Sequence, residues 1–205
     1  MKRIFALFFI LSMAIACAPS PQKKAEALVK EAIQKTLYIP DSYEAVETQL
    51  DSAFAPYHDP AFVATVLDIC KKGVELDELD SKMKSAKSSM SIWSGPYMTS
   101  FGRNQYNEAK EEYETAKGKY DALTAKIQKM AEGLRAQIEK EPEFIGCRVH
   151  HTYRAQNNAG NVLMGGAYFL LDKDLTKIIA QWDEEEIEVY NAFLQQAAEA
   201  TEDNQ

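Results

Sequence analysis

The chain has 205 residues, 46% of them hydrophobic and 26% charged. That balance excludes a disordered chain and suffices for one substantial core, or a core with an appendage. A formal net charge of −8 argues against nucleic acid as a partner, because that binding neutralises phosphates with Lys and Arg.

Met1-Lys2-Arg3 is a short basic start, followed by an apolar run from Ile4 to Ile15 broken only by Ser12. Ala14-Ile15-Ala16 then places small residues just before Cys17. A basic region, an apolar region and a small-residue cleavage site in that order predict a secretory signal over residues 1–16. The run is too short for a bilayer span, which needs about 20 residues. The stretch resembles a bacterial lipobox, in which the cysteine becomes the acylated first residue; Ala14 stands where Leu is usual. Cys17 is therefore the expected lipidation site, with a soluble secreted product as the alternative. Losing residues 1–16 removes Lys2 and Arg3 and takes the charge from −8 to −10. An acidic product does not hold to anionic lipid by charge, so attachment would rest on the acyl anchor.

Residues 17–22, with Pro19 and Pro21, read as a short tether. Lys23 to Leu37 reads as a helix, with Ala25, Leu28, Val29, Ala32, Ile33 and Leu37 on one face, and Pro40 stops it. Tyr43 to Phe54 reads as a strand closed by Pro56 and Pro60.

The middle of the chain carries the strongest periodicity. Tyr106, Ala109, Tyr113, Ala116, Tyr120, Leu123, Ile127, Met130 and Leu134 recur at steps of three and four. Such a heptad seam requires a partner helix. Leu76, Leu79, Met83, Ala86, Met90 and Trp93 supply the same alternation upstream. Ser94-Gly95-Pro96 and Gly102 interrupt the two runs. The pattern predicts an antiparallel helical hairpin, residues 60–140, with arms from about Pro60 to Ile92 and from about Arg103 to Lys140. The Tyr stripe reads as core packing, large residues over small, rather than as a ligand ladder. The tip gathers Ile92, Trp93, Tyr97, Met98 and Phe101. Loops sit in water, so an apolar cluster there is either a cap that closes the hairpin on itself or a surface for a protein partner or a second copy.

After Glu141-Pro142 the period changes to two. Ile145, Cys147, Val149, His151 and Tyr153 share one face of a strand; Arg148, His150, Thr152 and Arg154 share the other. Gln156 to Asn161 reads as a turn, Val162 to Leu171 as a strand, Asp172-Lys173-Asp174 as a turn, and Lys177 to Trp182 as a strand. Gly165-Gly166 inside a strand implies a bulge or a close backbone approach. Asp183 with Glu186 forms a capping box before a last helix carrying Ile187, Tyr190, Phe193, Leu194 and Ala197. The fold expected is α+β: an N-terminal helix, a small antiparallel sheet of about four strands, the long helical hairpin inserted in it, and a C-terminal helix. Residues 23–59 and 141–199 would form the α+β domain.

Two stretches, Leu37-Tyr38-x-Pro40-Asp41-Ser42-Tyr43-Glu44 and His151-x-Tyr153-Arg154-Ala155-x-Asn157-x-x-Gly160, resemble small exported lipoproteins common in Bacteroidetes. In those, a strand like "FLLDKDLTKI" follows the Gly turn. The likeness covers about half of the chain and leaves the hairpin out. Asn161 stands where a second Gly often appears. The resemblance implies compartment and fold and carries over no catalytic residue. The residues after Cys17, "APSPQKK", lack the acidic run that in such bacteria tends to direct lipoproteins to the cell surface. They imply an outer-membrane position facing the periplasm.

Candidate chemistry is sparse. A hydrolase would use His150 or His151 as general base with an orienting carboxylate, and no neighbour in sequence completes that set. There is no G-x-S-x-G elbow. The two histidines point to opposite faces, so they cannot share a metal, and His58 has no metal-ligand spacing to either. No catalytic residue, metal or cofactor is expected. His151 reads as a hydrogen-bonded core residue. Arg148, His150 and Arg154 form a cationic row able to hold a carboxylate or phosphate. Cys70 and Cys147 can be a disulfide or two free thiols. The sequence thus describes an exported, lipid-anchored protein with a non-catalytic binding or scaffolding role, an envelope hydrolase being the alternative.

Overall fold

The structure, a computed structural model, describes residues 19–95 and 99–202. Cys17, Tyr97 and Met98 lie outside the described residues. Among the described residues the architecture is α+β, with four α-helices and a four-stranded antiparallel sheet in the order β1-β2-β3-β4. In chain order the elements are α1 (Pro21–Thr36), a 3-10 turn (Pro40–Ser42), β1 (Glu44–Ala55), α2 (Pro60–Trp93), α3 (Ser100–Ile138), β2 (Glu143–Gln156), β3 (Val162–Leu171), β4 (Ile178–Asp183) and α4 (Glu184–Glu202).

Two compact units emerge. The first comprises the chain up to His58 together with Phe144–Glu184, and the second comprises Asp59–Glu143 with the segment from Glu185 on. In the first, α1 lays Ala25, Val29 and Ile33 against Val149, Ala167, Phe169 and Leu171 of the sheet, all buried. The helix begins earlier than the tether reading allows. Pro21 is not part of a linker but occupies the first helical turn, and the Ser20 side chain accepts from Lys23 N. A proline costs a helix nothing at that position, because its missing N–H would have had no partner there.

β2 and β3 pair without a break, with His151 opposite Ala167 and His150 opposite Tyr168. Gly165-Gly166 is therefore a close approach and not a bulge. A Cβ on Gly165 would lie 2.7 Å from Cζ of Tyr153, and one on Gly166 would lie 2.0 Å from the Glu184 carboxylate. The irregularity falls instead between β3 and β4, at Leu170/Leu171. The turn ahead of β4 is built by Asp172, whose carboxylate accepts from Thr176 Oγ1 and from the backbone N–H groups of Thr176 and Lys177. Those bonds, the Thr176 hydroxyl first, hold its pKa down at about 2.

The second unit contains the hairpin and α4. Asp59 caps α2 by accepting from Ala61 N at 2.8 Å. Thr99 caps α3 by accepting from Gly102 N at 3.1 Å. That cap starts α3 three residues before Arg103, and Gly102 is a buried residue of the first turn rather than a breaker. Every residue of both predicted seams is buried or half-buried, with Ala86, Ala109 and Leu134 most enclosed and the three tyrosines half-buried. At 1.5 Å per residue the arms are about 50 and 60 Å long.

Candidate functional site

The two faces of β2 hold different chemistry. On the face toward α1, His151 is 1% exposed. Its Nε2 lies 2.8 Å from Tyr43 Oη and its Nδ1 lies 2.8 Å from Thr48 Oγ1. Neutral imidazole has one donor and one acceptor nitrogen, and hydroxyls can complement either. Both ring nitrogens are thus committed inside the fold. The ring also lies near-parallel to those of Tyr43 and Tyr153, with centroids about 6 Å away. Burial pushes the His151 pKa below its ordinary value; the Glu26 carboxylate opposes that shift and His150 adds to it. Burial likewise raises the Tyr43 phenol, with Glu26 acting in the same direction.

Above this layer a groove of about 630 Å³ runs between α1 and β1. Lys23, Glu26 and Lys30 line it from the helix, Val46 and Glu47 from the strand, and Tyr43 and His151 at its base. Lys30 Nζ sits 5.9 Å from the centroid of the Tyr43 ring. No sequence motif marks this groove, because its walls come from three separate segments.

The opposite face carries the cationic row, and the structure separates its members. Arg148 reaches Asp51 at 3.5 Å and His58 Nε2 at 3.4 Å. Burial, and then the Arg148 charge, lower the His58 pKa. His150 stacks on Tyr168 with ring centroids 4.3 Å apart. Its Nε2 is buried without a hydrogen-bond partner, yet stands 3.5 Å from Glu184 Oε1. That distance is too long for a hydrogen bond and short enough for an ion pair when the imidazole is protonated. Arg154 is exposed, opposite Met164. Arg148 and Arg154 are six residues apart on one strand, about 20 Å, so a single carboxylate or phosphate cannot bridge them. Glu184 is the carboxylate that sequence reading did not find for His150. It is 34 positions away along the chain and is brought close by the β3–β4 turn and the direct run of β4 into α4.

Among the described residues no group of three His, Cys, Asp or Glu is placed to hold a metal, and no helix is long and apolar enough to cross a membrane. Cys70 and Cys147 are both free and half-buried, and burial raises each thiol. At the hairpin tip, Trp93 and Phe101 meet edge to face with centroids 5.6 Å apart. They close the end of the arms on each other, and still Phe101 is 62% and Ile92 71% exposed. No family model, curated protein or solved structure matches the chain.

Proposed function

We propose that this is an exported protein, held at the outer membrane by acyl chains on Cys17 and facing the periplasm. Its role is non-catalytic: it binds a protein partner through the hairpin tip. The lipobox-like start and the partial likeness to exported Bacteroidetes lipoproteins support the compartment. The observation that carries the binding role is the apolar surface left at the tip after Trp93 and Phe101 have packed together. A cap that served only to end the hairpin would bury its large residues, yet Ile92 and Phe101 remain mostly in water. Exposed aromatic and aliphatic groups in one place favour association, because their burial removes much area from water at small rotamer cost.

The test is the Trp93→Ser, Phe101→Ser chain, cross-linked in intact cells beside the parent. Loss of a specific cross-linked species with the helical content unchanged is the expected result. An unchanged set of cross-links would reduce the tip to a structural cap. The hydrolase alternative has one contact in its favour, the Glu184 carboxylate beside His150. It lacks a nucleophile hydrogen-bonded to that ring among the described residues, and the Tyr168 stack occupies one face of the imidazole.

A further inference from the structure

We infer that the groove between α1 and β1 binds a zwitterionic peptide of dipeptide length, its carboxylate at Lys30 and the hydroxyls of the floor and its ammonium at Glu26. The inference is independent of the tip and of the anchor. The floor carries an unspent proton. Neutral His151 has one N–H and one bare nitrogen, and both its partners are hydroxyls, Tyr43 Oη and Thr48 Oγ1. One hydroxyl donates to the bare nitrogen. The other accepts the ring N–H and keeps its own proton. Either tautomer leaves one such O–H, and among the described residues no second acceptor meets either hydroxyl. Tyr43 and Thr48 both line the groove, so its floor can donate a hydrogen bond to an occupant.

The rim carries unspent charge of both signs. Lys23 and Lys30 stand against Glu26 and Glu47, and among the described residues none of the four forms a salt bridge. Glu26 and Lys30 have the spacing and order that favour an ion pair on a helix, and α1 closes such a pair between Glu31 and Lys35 at 2.7 Å. Here Glu26 Oε1 instead accepts from Gln22 Nε2 at 2.9 Å, and Lys30 Nζ stands over the Tyr43 ring. Glu47 Oε1 accepts from Gln49 Nε2. Gln22 Nε2 also donates to the Thr48 carbonyl, which ties α1 to β1 beside the groove. A ligand of one sign would meet two like charges with the two opposite ones, whereas a zwitterion satisfies both. After burial, the Glu26 charge is the next influence on the pKa of both Tyr43 and His151. A carboxylate at the floor therefore needs an ammonium beside it at Glu26. Length follows from the helix. Four residues set Glu26 and Lys30 about 6 Å apart along α1. The amine nitrogen and terminal carboxyl carbon of an extended dipeptide are also about 6 Å apart, against about 2.5 Å in a single amino acid. Ala27, Ala45 and Val46 leave room for small apolar side chains.

The experiment titrates the purified full chain in detergent with dialanine by calorimetry. The dipeptide is used free at both ends, N-acetylated, or C-amidated, with free alanine as the shorter zwitterion. Free dialanine should bind saturably and more tightly than alanine. Blocking either end should weaken it about tenfold or more, the scale of one hydrogen bond to a charged group. Lys30→Gln should bind the free and amidated dipeptides equally, and Glu26→Gln the free and acetylated ones equally. Both side chains are exposed and outside any salt bridge, so each variant should keep the parent's helical content. Three results would each overturn the inference: no saturable heat from free dialanine, a blocked form or alanine that binds the parent as well as free dialanine does, or variants that retain the parent's preferences. The Trp93→Ser, Phe101→Ser chain should bind dialanine as the parent does, which separates this groove from the tip.

Discussion

His151 shows how one residue can look catalytic in a sequence and be structural in the fold. Its two nitrogens are held at 2.8 Å by Tyr43 and Thr48, and its ring fills the layer beneath α1. Replacing it with Ala removes buried volume and leaves two hydroxyls without their partner. Such changes cost about 2–4 kcal/mol, so His151→Ala should unfold at markedly lower denaturant, which a urea titration would read. The pH dependence follows from the depressed folded pKa. The unfolded chain takes up a proton near pH 6.5 while the folded chain still resists it. The stabilisation is present above that pH and falls away as acid is added, down to the folded pKa. The His151→Ala chain should lose this part of the acid sensitivity, and an unaltered pH profile would assign the sensitivity elsewhere. Sequence placed His151 in the apolar row correctly, since strand alternation alone decides its face. It could not supply Tyr43 and Thr48, which stand 108 and 103 positions away.

At the scale of elements, the hairpin was the most legible part, because its seam repeats over many turns and each turn repeats the same information. The helix ends were less legible. Pro21 and Gly102 are read as breakers by composition, whereas the caps at Ser20 and Thr99 turn both into first-turn residues. The sheet order β1-β2-β3-β4 places as neighbours two strands that the whole hairpin separates in sequence. The hairpin is thus an insertion between paired strands. Leu123 tests its seam. The side chain is half-buried between tyrosine and isoleucine positions of the stripe. Leu123→Asp forces a carboxylate either to shed water or to splay the arms, at a cost of about 2 kcal/mol. Thermal unfolding followed by helical ellipticity should shift downward, and Glu114→Asp, which keeps a carboxylate at an exposed position of the same helix, should be nearly silent. Equal effects at both positions would mean that the arms do not pack along this stripe.

On the scale of the whole molecule, the proposed anchor constrains where the folded part can be. α1 begins at Pro21, so three residues, four Cα-to-Cα steps, separate Cys17 from a helix. Even fully extended, that segment spans about 14 Å. If Cys17 is acylated, the start of α1 is held within that distance of the headgroups, and the chain cannot range freely above the membrane. The acidic surface gives no electrostatic hold of its own, so removing the acyl chains should release the protein altogether. The prediction is checked by metabolic labelling with a fatty-acid analogue and by fractionation. The parent chain should carry label and sediment with membranes. Cys17→Ser should carry none and appear in the soluble fraction with its fold intact. Label that persists in Cys17→Ser would place the acyl group on another residue. An unlabelled parent would make the product a free secreted protein, for which Ala14-Ile15-Ala16 serves an ordinary signal peptidase.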